Sequence, residues 1–190
     1  HLFCAEAGGP AALNQVMCKP IKTKTGIFSG EDIRQHFNTV NSPYIPISRL
    51  VSIENTSNLG GGVAWTSEQL KDVVQTAKSF KLKLHLDGAR LFNAVIKTKL
   101  SPKEITAGFD TVTICLSKGL GCPVGAILLF DESYFVKVRR FKQLFGGAMR
   151  QTGILAAAGI YALEHHVERL QVDHDHATLF AQLLKENIPE

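Results

Sequence analysis

Little in this 190-residue chain is present in excess, and the absences narrow its chemistry first. Cysteine is scarce: four residues, at 4, 18, 115 and 122, form no C-x-x-C pair. Neither a disulfide framework nor a zinc site is expected, and the default compartment is a reducing one, cytoplasmic with mitochondrial as the alternative. Cys115 falls in an apolar run and is read as core. No apolar run approaches the roughly 20 residues that span a bilayer, so no membrane partner is expected. No charge sign dominates, with 21 Lys and Arg against 17 Asp and Glu for a net +4. The loose clusters Lys19, Lys22, Lys24 and Lys137, Arg139, Arg140, Lys142 read as solvated faces, the second with anion binding as its alternative. Basic and aromatic residues do not interleave, so no nucleic-acid partner is expected. Repeats and low-complexity stretches are absent.

Several catalytic signatures are missing too. There is no G-x-S-x-G elbow, which disfavours a serine hydrolase. Gly119, Gly121 and Gly125 make G-x-G-x-x-x-G, one residue too long for the dinucleotide fingerprint, and no G-K-[ST] follows as a phosphate loop would require. His165-His166 and His174-x-His176 lack the i, i+4 spacing of a helical zinc pair and read as exposed. His85 reads as a packed or solvent-facing strand residue. No metal is expected.

What is present is ordinary globular composition, 45% hydrophobic and 20% charged. The length fits one domain, or one and the start of another. Short apolar runs alternate with helix-period segments, the pattern of α/β layering. Residues 49–53 (RLVSI) read as a buried strand and residues 60–62 as a glycine loop. Thr66 opens a helix with Gln69 three residues on, and Ser101-Pro102 opens another with Glu104. Leu70, Val73, Val74, Ala77 and Phe80 give the first of these one buried face. Residues 83–86 are the next strand. Residues 111–116 (TVTICL) and 124–130 (VGAILLF) read as strands buried on two faces. Asp131 caps a helix reaching about Leu144, and 151–184 is helix-compatible almost throughout. The expected organisation is a large α/β domain over 1–150 and a helical connection over 151–190 into a further domain. The chain opens with His1 rather than methionine, so a processed form or a fragment is expected.

In open α/β sheets, ligands bind beyond the carboxyl ends of the strands. Polar residues follow three of these apolar runs: Glu54-Asn55-Thr56, Asp87-Gly88-Ala89-Arg90 and Ser117-Lys118-Gly119. Taken alone, Asp87 fits a helix cap or an ion pair with Arg90. Its functional alternative is a carboxylate facing a protonated pyridine nitrogen, which makes that ring an electron sink. Lys118 is either a surface residue or an amine that reacts with a carbonyl once water is excluded. Ser117 can offer its hydroxyl to a phosphate or simply close a turn. Arg90 can hold a carboxylate in a bidentate fork. Arg150, read at a helix start, fits either an anion site or a surface cap.

These segments also resemble a known family. Residues 87–94 (DGARLFNA) resemble the aspartate segment of L-threonine aldolases. Residues 117–125 (SKGLGCPVG) resemble their cofactor-lysine segment. Met149-Arg150-Gln151 with residues 153–158 (GILAAA) resembles the segment that follows, and Glu54-Asn55-Thr56 and the opening residues fit as well. The resemblance implies the fold-type-I architecture of pyridoxal-phosphate enzymes, with a three-layer large domain and a mainly parallel sheet, incomplete here. It implies cleavage of L-threonine or L-allo-threonine to glycine and acetaldehyde, with pyridoxal 5'-phosphate as cofactor. It implies a homodimer or homotetramer with sites at the interface.

By position, Lys118 would carry the cofactor, Asp87 would bind its ring nitrogen, and His1 would stack on the ring. Ser117 would touch the phosphate and Arg150 would reach a phosphate, in the neighbouring subunit. Arg90 would hold the substrate carboxylate. Ser57 stands near the substrate hydroxyl, where family members often carry histidine. Gln143, Phe145 and Ala148 also depart from the pattern. The family's first segment before His1 and most of its C-terminal small domain are not in this sequence. The alternative expectation is a truncated, catalytically inactive relative.

Overall fold

The computed structural model describes residues 2–39 and 42–188. Among them, β1 (Leu50–Glu54), β2 (Lys83–Asp87), β3 (Thr111–Cys115) and β4 (Ala126–Phe130) form one sheet in the order β1-β2-β3-β4. The first three strands run parallel and β4 runs antiparallel to β3. Two short helices, α1 (Gly9–Asn14) and α2 (Gly30–His36), precede the sheet. Parallel neighbours require crossovers. The first is made by α3 (Ser67–Ser79), and the second by α4 (Leu91–Thr98) and α5 (Pro102–Ile105).

Both expected capping boxes form. Thr66 Oγ1 accepts from the Gln69 N–H at 3.3 Å, while Gln69 Oε1 accepts from the Thr66 N–H at 2.9 Å. Ser101 and Glu104 repeat the arrangement at α5, with Pro102 in the first turn. A third box, Ser29 with Asp32, starts α2. Each satisfies backbone donors that a helix start would leave orphaned.

The core follows from period-two alternation along the strands. Ile53, Leu84, Leu86, Val112 and Ile114 are buried and pack with Trp65, with Leu70, Val73 and Ala77 of α3, and with Leu91, Ala94 and Ile105. A second, smaller cluster joins Leu116, Leu120 and Cys122 to Ala162 of α7 (Gly153–His165). The last helix among the described residues is α8 (Leu170–Asn187), anchored by the buried Leu170. Between β4 and α7 lies α6 (Phe135–Leu144), preceded by a 3-10 turn that Asp131 caps through the Ser133 N–H.

Three expectations need correction. Residues 124–130 do not form a strand buried on two faces, and residues 49–53 are not buried throughout: β1 and β4 are the sheet's edges, with only Ile53 buried in β1 and no buried residue in β4. β3 alternates between half-buried and buried residues, so it has one core face rather than two, and Cys115 is half-buried rather than core. Parallel central strands read as uninterrupted apolar runs only when both faces are covered. The 151–184 helical stretch is broken between His165 and Leu170 into α7 and α8.

Two consequences for stability follow. Leu84 is fully buried in the main cluster, so Leu84→Ala should cost about 2–5 kcal/mol in urea unfolding, and a loss below about 1 kcal/mol contradicts this packing. His85 is half-buried, and burial holds its pKa below the ordinary 6.5 while the nearby Asp87 charge pulls the other way. A histidine with a depressed folded pKa stabilises above its unfolded value, and that contribution is lost as pH falls through the folded value. Unfolding free energy should therefore decline as pH drops below about 6.5, and His85→Asn should flatten that part of the profile; an unchanged slope in the variant rules His85 out.

Candidate active site at the strand ends

The residues that alternate with the core set occupy the other face of the sheet. On β2 these are Lys83, His85 and Asp87; on β3 they are Thr111, Thr113 and Cys115. Register aligns them across strands: Glu54 pairs with Asp87 and Asp87 with Thr113, while Ser52, His85 and Thr111 form the row beneath. Paired residues on parallel strands point to the same side. A polar row thus crosses the carboxyl ends of the three parallel strands, the position at which open α/β sheets bind ligands. His85 Nδ1 and Thr111 Oγ1 hydrogen-bond at 2.8 Å within the lower row.

At the end of β2, Asp87 Oδ1 accepts from the Ala89 N–H at 3.1 Å, and the Gly88 N–H donates to the Thr113 carbonyl at 2.8 Å. A Cβ on Gly88 would lie 2.7 Å from that same carbonyl oxygen, so only glycine lets β2 leave the sheet this close to β3. Arg90 follows at the start of α4, and its guanidinium lies 3.9 Å from Glu54 Oε1. Glu54 is half-buried, and that burial raises its carboxyl above the usual range; the Asn58 backbone N–H lowers it, the Asp87 charge raises it and Arg90 lowers it again.

Asn55 is fully buried. Its N–H donates to the Asp87 carbonyl at 2.9 Å and its Oδ1 accepts from the Trp65 N–H at 3.4 Å. Its Nδ2 donor has no acceptor among the described residues. A buried, unused amide donor is uncommon, because a lost hydrogen bond there is costly.

Beyond β3 the chain turns sharply. The Gly121 N–H donates to the Lys118 carbonyl at 2.8 Å and the Cys122 N–H to the Leu116 carbonyl at 3.0 Å. Gly121 has φ +72°, a conformation open to glycine without penalty. Lys118 is exposed, and its Nζ donates to Cys115 Sγ at 3.3 Å, at the rim of the polar face.

The sequence-derived candidates divide accordingly. Asp87, Arg90 and Lys118 stand at the ends of adjacent parallel strands, and Ser117 is exposed beside Lys118. Arg90 faces Glu54 across 3.9 Å. Ser57 is buried, and its hydroxyl lies against Gly26 and Gly60: a Cβ on either would collide with Ser57 Oγ. Arg150 is exposed and lies outside α7, two residues ahead of its N-cap Thr152, rather than at the helix start. His1 lies outside the described residues. Thr113 and Cys115 went unnoticed as partners of the site, although the alternation of residues 111–115 (TVTIC) against 83–87 (KLHLD) carries that signal. His166 and His174, read as exposed, are half-buried; His166 Nδ1 bonds the Leu120 carbonyl at 2.6 Å and His174 Nε2 lies 3.1 Å from Asn93 Nδ2. Nothing local in the sequence signals either contact. Among the described residues no cluster of His, Cys, Asp and Glu could hold a metal ion, and no helix is long and apolar enough to cross a membrane.

Comparison with known proteins places this geometry. The low specificity L-threonine aldolase of Escherichia coli K12 is 42% identical over 187 residues, covering 98% of this chain and 55% of that protein. The low-specificity L-threonine aldolase of Candida albicans is 34% identical over 190 residues, covering 98% of this chain and 50% of that protein. A solved Listeria monocytogenes protein, provisionally described as an L-allo-threonine aldolase, superposes with a TM-score of 0.77 at 27% identity, over 89% of this chain and 45% of that one. The mainly parallel α/β fold is therefore that of these proteins, as expected. The chain spans about half the length of the curated relatives it matches. The sequence model of the beta-eliminating lyase family matches residues 1–188, and the chain belongs to that family.

Proposed function

We propose that this chain supplies the cofactor-lysine face of a pyridoxal-phosphate-dependent threonine aldolase, cleaving L-threonine or L-allo-threonine to glycine and acetaldehyde. The observation that carries the reading is the row Glu54–Asp87–Thr113 at the ends of parallel strands, with Lys118 in the turn that follows β3. The donor set fits the cofactor. Asp87 offers a carboxylate to a ring nitrogen, Lys118 a primary amine to an aldehyde, and Asn55 Nδ2 a spare buried donor to an oxygen. Ser117 and Arg150 offer a hydroxyl and a guanidinium to a phosphate, and His1 a ring for stacking. Pyridoxal phosphate, when bound, accepts the electron pair released as a Cα–Cβ bond breaks.

The residues then divide the remaining work. Arg90, held near Glu54, presents its guanidinium to the substrate carboxylate. Asp87 would hold a positive charge on the ring nitrogen. Solvent water would take the β-hydroxyl proton as the aldehyde forms, and the Cα carbon would gain a proton to become glycine. Lys118 is the amine placed to return that proton. Ser57 is the side chain assigned to the substrate's hydroxyl end. A lysine exposed on one chain needs a surface that excludes water, and a second subunit at this face supplies it, consistent with a homodimer or homotetramer. Cytoplasmic residence fits the four unpaired cysteines.

A second reading, in which the chain as it stands is catalytically silent, is favoured by the exposure of Lys118. An aldol-cleavage assay separates the two. Acetaldehyde release from L-threonine or L-allo-threonine should fall by at least about a thousandfold in Lys118→Ala, as expected when the covalent residue itself is removed. Turnover retained in that variant overturns the assignment, and no turnover in the unsubstituted chain loaded with cofactor selects the silent reading.

A further inference from the structure

The turn that carries Lys118 is held from outside by the α7–α8 junction. His166 lies at the C-terminal end of α7, half-buried, with Nδ1 2.6 Å from the Leu120 carbonyl oxygen. A carbonyl only accepts, so Nδ1 carries the proton and donates. The Tyr161 ring packs edge-on against the imidazole, with centroids 5.5 Å apart.

The carbonyl of Leu120 belongs to the same peptide group as the N–H of Gly121, and that N–H donates to the Lys118 carbonyl at 2.8 Å. In a trans peptide the two groups point in opposite directions. One rigid plane is therefore gripped on one side by His166 and on the other by the backbone of Lys118. Bonds linked in series through a peptide polarise and strengthen each other. The surroundings leave this plane little freedom. Leu120 and Cys122 are buried, and Cys122 Sγ lies 3.5 Å from the Ala158 carbonyl of α7. A Cβ on Gly119 would stand 2.7 Å from Leu170 Cδ2, and one on Gly121 would stand 3.5 Å from His166 itself.

We propose that His166 is a positioning residue for Lys118, fixing the lysine's backbone through the Leu120–Gly121 peptide group. The inference rests on the reading of Lys118 as the cofactor lysine. Its role differs from that of Asp87 and Arg90, because His166 approaches the site from the α7–α8 side and acts through the backbone alone.

The test uses the whole chain with three substitutions. His166→Asn keeps a donor two bonds from Cβ, where Nδ1 sits; His166→Gln places it one bond further; His166→Ala removes it. Two quantities are read: amide hydrogen exchange at Gly121 without cofactor, and the rate at which added pyridoxal phosphate forms a borohydride-trapped adduct at Lys118. Loss of one buried hydrogen bond should speed Gly121 exchange and slow adduct formation by about fivefold each in His166→Ala. His166→Asn should stay near the unsubstituted rates. Protection of Val73, remote in α3, reports that the fold is intact. Unchanged Gly121 exchange in a folded His166→Ala, or faster exchange with an unchanged adduct rate, overturns the proposal. If His166→Ala unfolds, His166→Asn must outperform His166→Gln on both readouts, and equality of the two overturns it. An unsubstituted chain that forms no adduct at Lys118 fails the cofactor-lysine reading, and the positioning role falls with it; an adduct indifferent to His166 fails the positioning role alone.

Discussion

Strand register governs this molecule. Because Glu54, Asp87 and Thr113 fall opposite one another on parallel strands, the same alternation that buries Ile53, Leu86 and Val112 lifts a polar row onto the other face. A slip of one residue in any strand would exchange the two sets, burying carboxylates and exposing leucines. Core and site are thus not separately specified. The hydrophobic burial that fixes the register also fixes where the carboxylates emerge, and with them where the chain leaves β2 toward Arg90 and β3 toward Lys118. Gly88 completes the constraint, since the Thr113 carbonyl leaves no room there for a Cβ.

Electrostatics at the row work against stability in part. Burial raises the Glu54 carboxyl, so the stability it contributes is present below about 4.5 and is lost as pH rises through its folded value. His85 behaves in the opposite sense, its contribution being lost as pH falls. Glu54 and His85, on one half-buried face, are shifted in opposite directions, each by its burial first. Arg90 and the Asn58 N–H offset part of the strain on Glu54. Perturbed groups gathered in this way are a mark of functional sites, where local stability yields to chemistry.

Much of this was legible in the sequence because it is local. The capping boxes at Thr66 and Ser101 are four-residue patterns and appear where expected. Asp87, Arg90 and Lys118 were recognised as strand-end residues because apolar runs stop just before them. What was misjudged depended on neighbours. The run ending at Phe130 has the composition of a doubly buried strand, yet β4 lies at an edge. No local pattern shows the packing of Ser57 either, whose hydroxyl lies against Gly26 and Gly60 in the folded loop. His166 has no local signature, since its partner Leu120 is 46 residues away.

The central claim is that the strand-end row and Lys118 together make a cofactor site. Incubating the purified chain with pyridoxal phosphate, reducing with borohydride, digesting and mapping the modified lysine by mass tests it directly. The account predicts a single stoichiometric adduct at Lys118. No adduct, or adducts spread over the surface lysines, would contradict it.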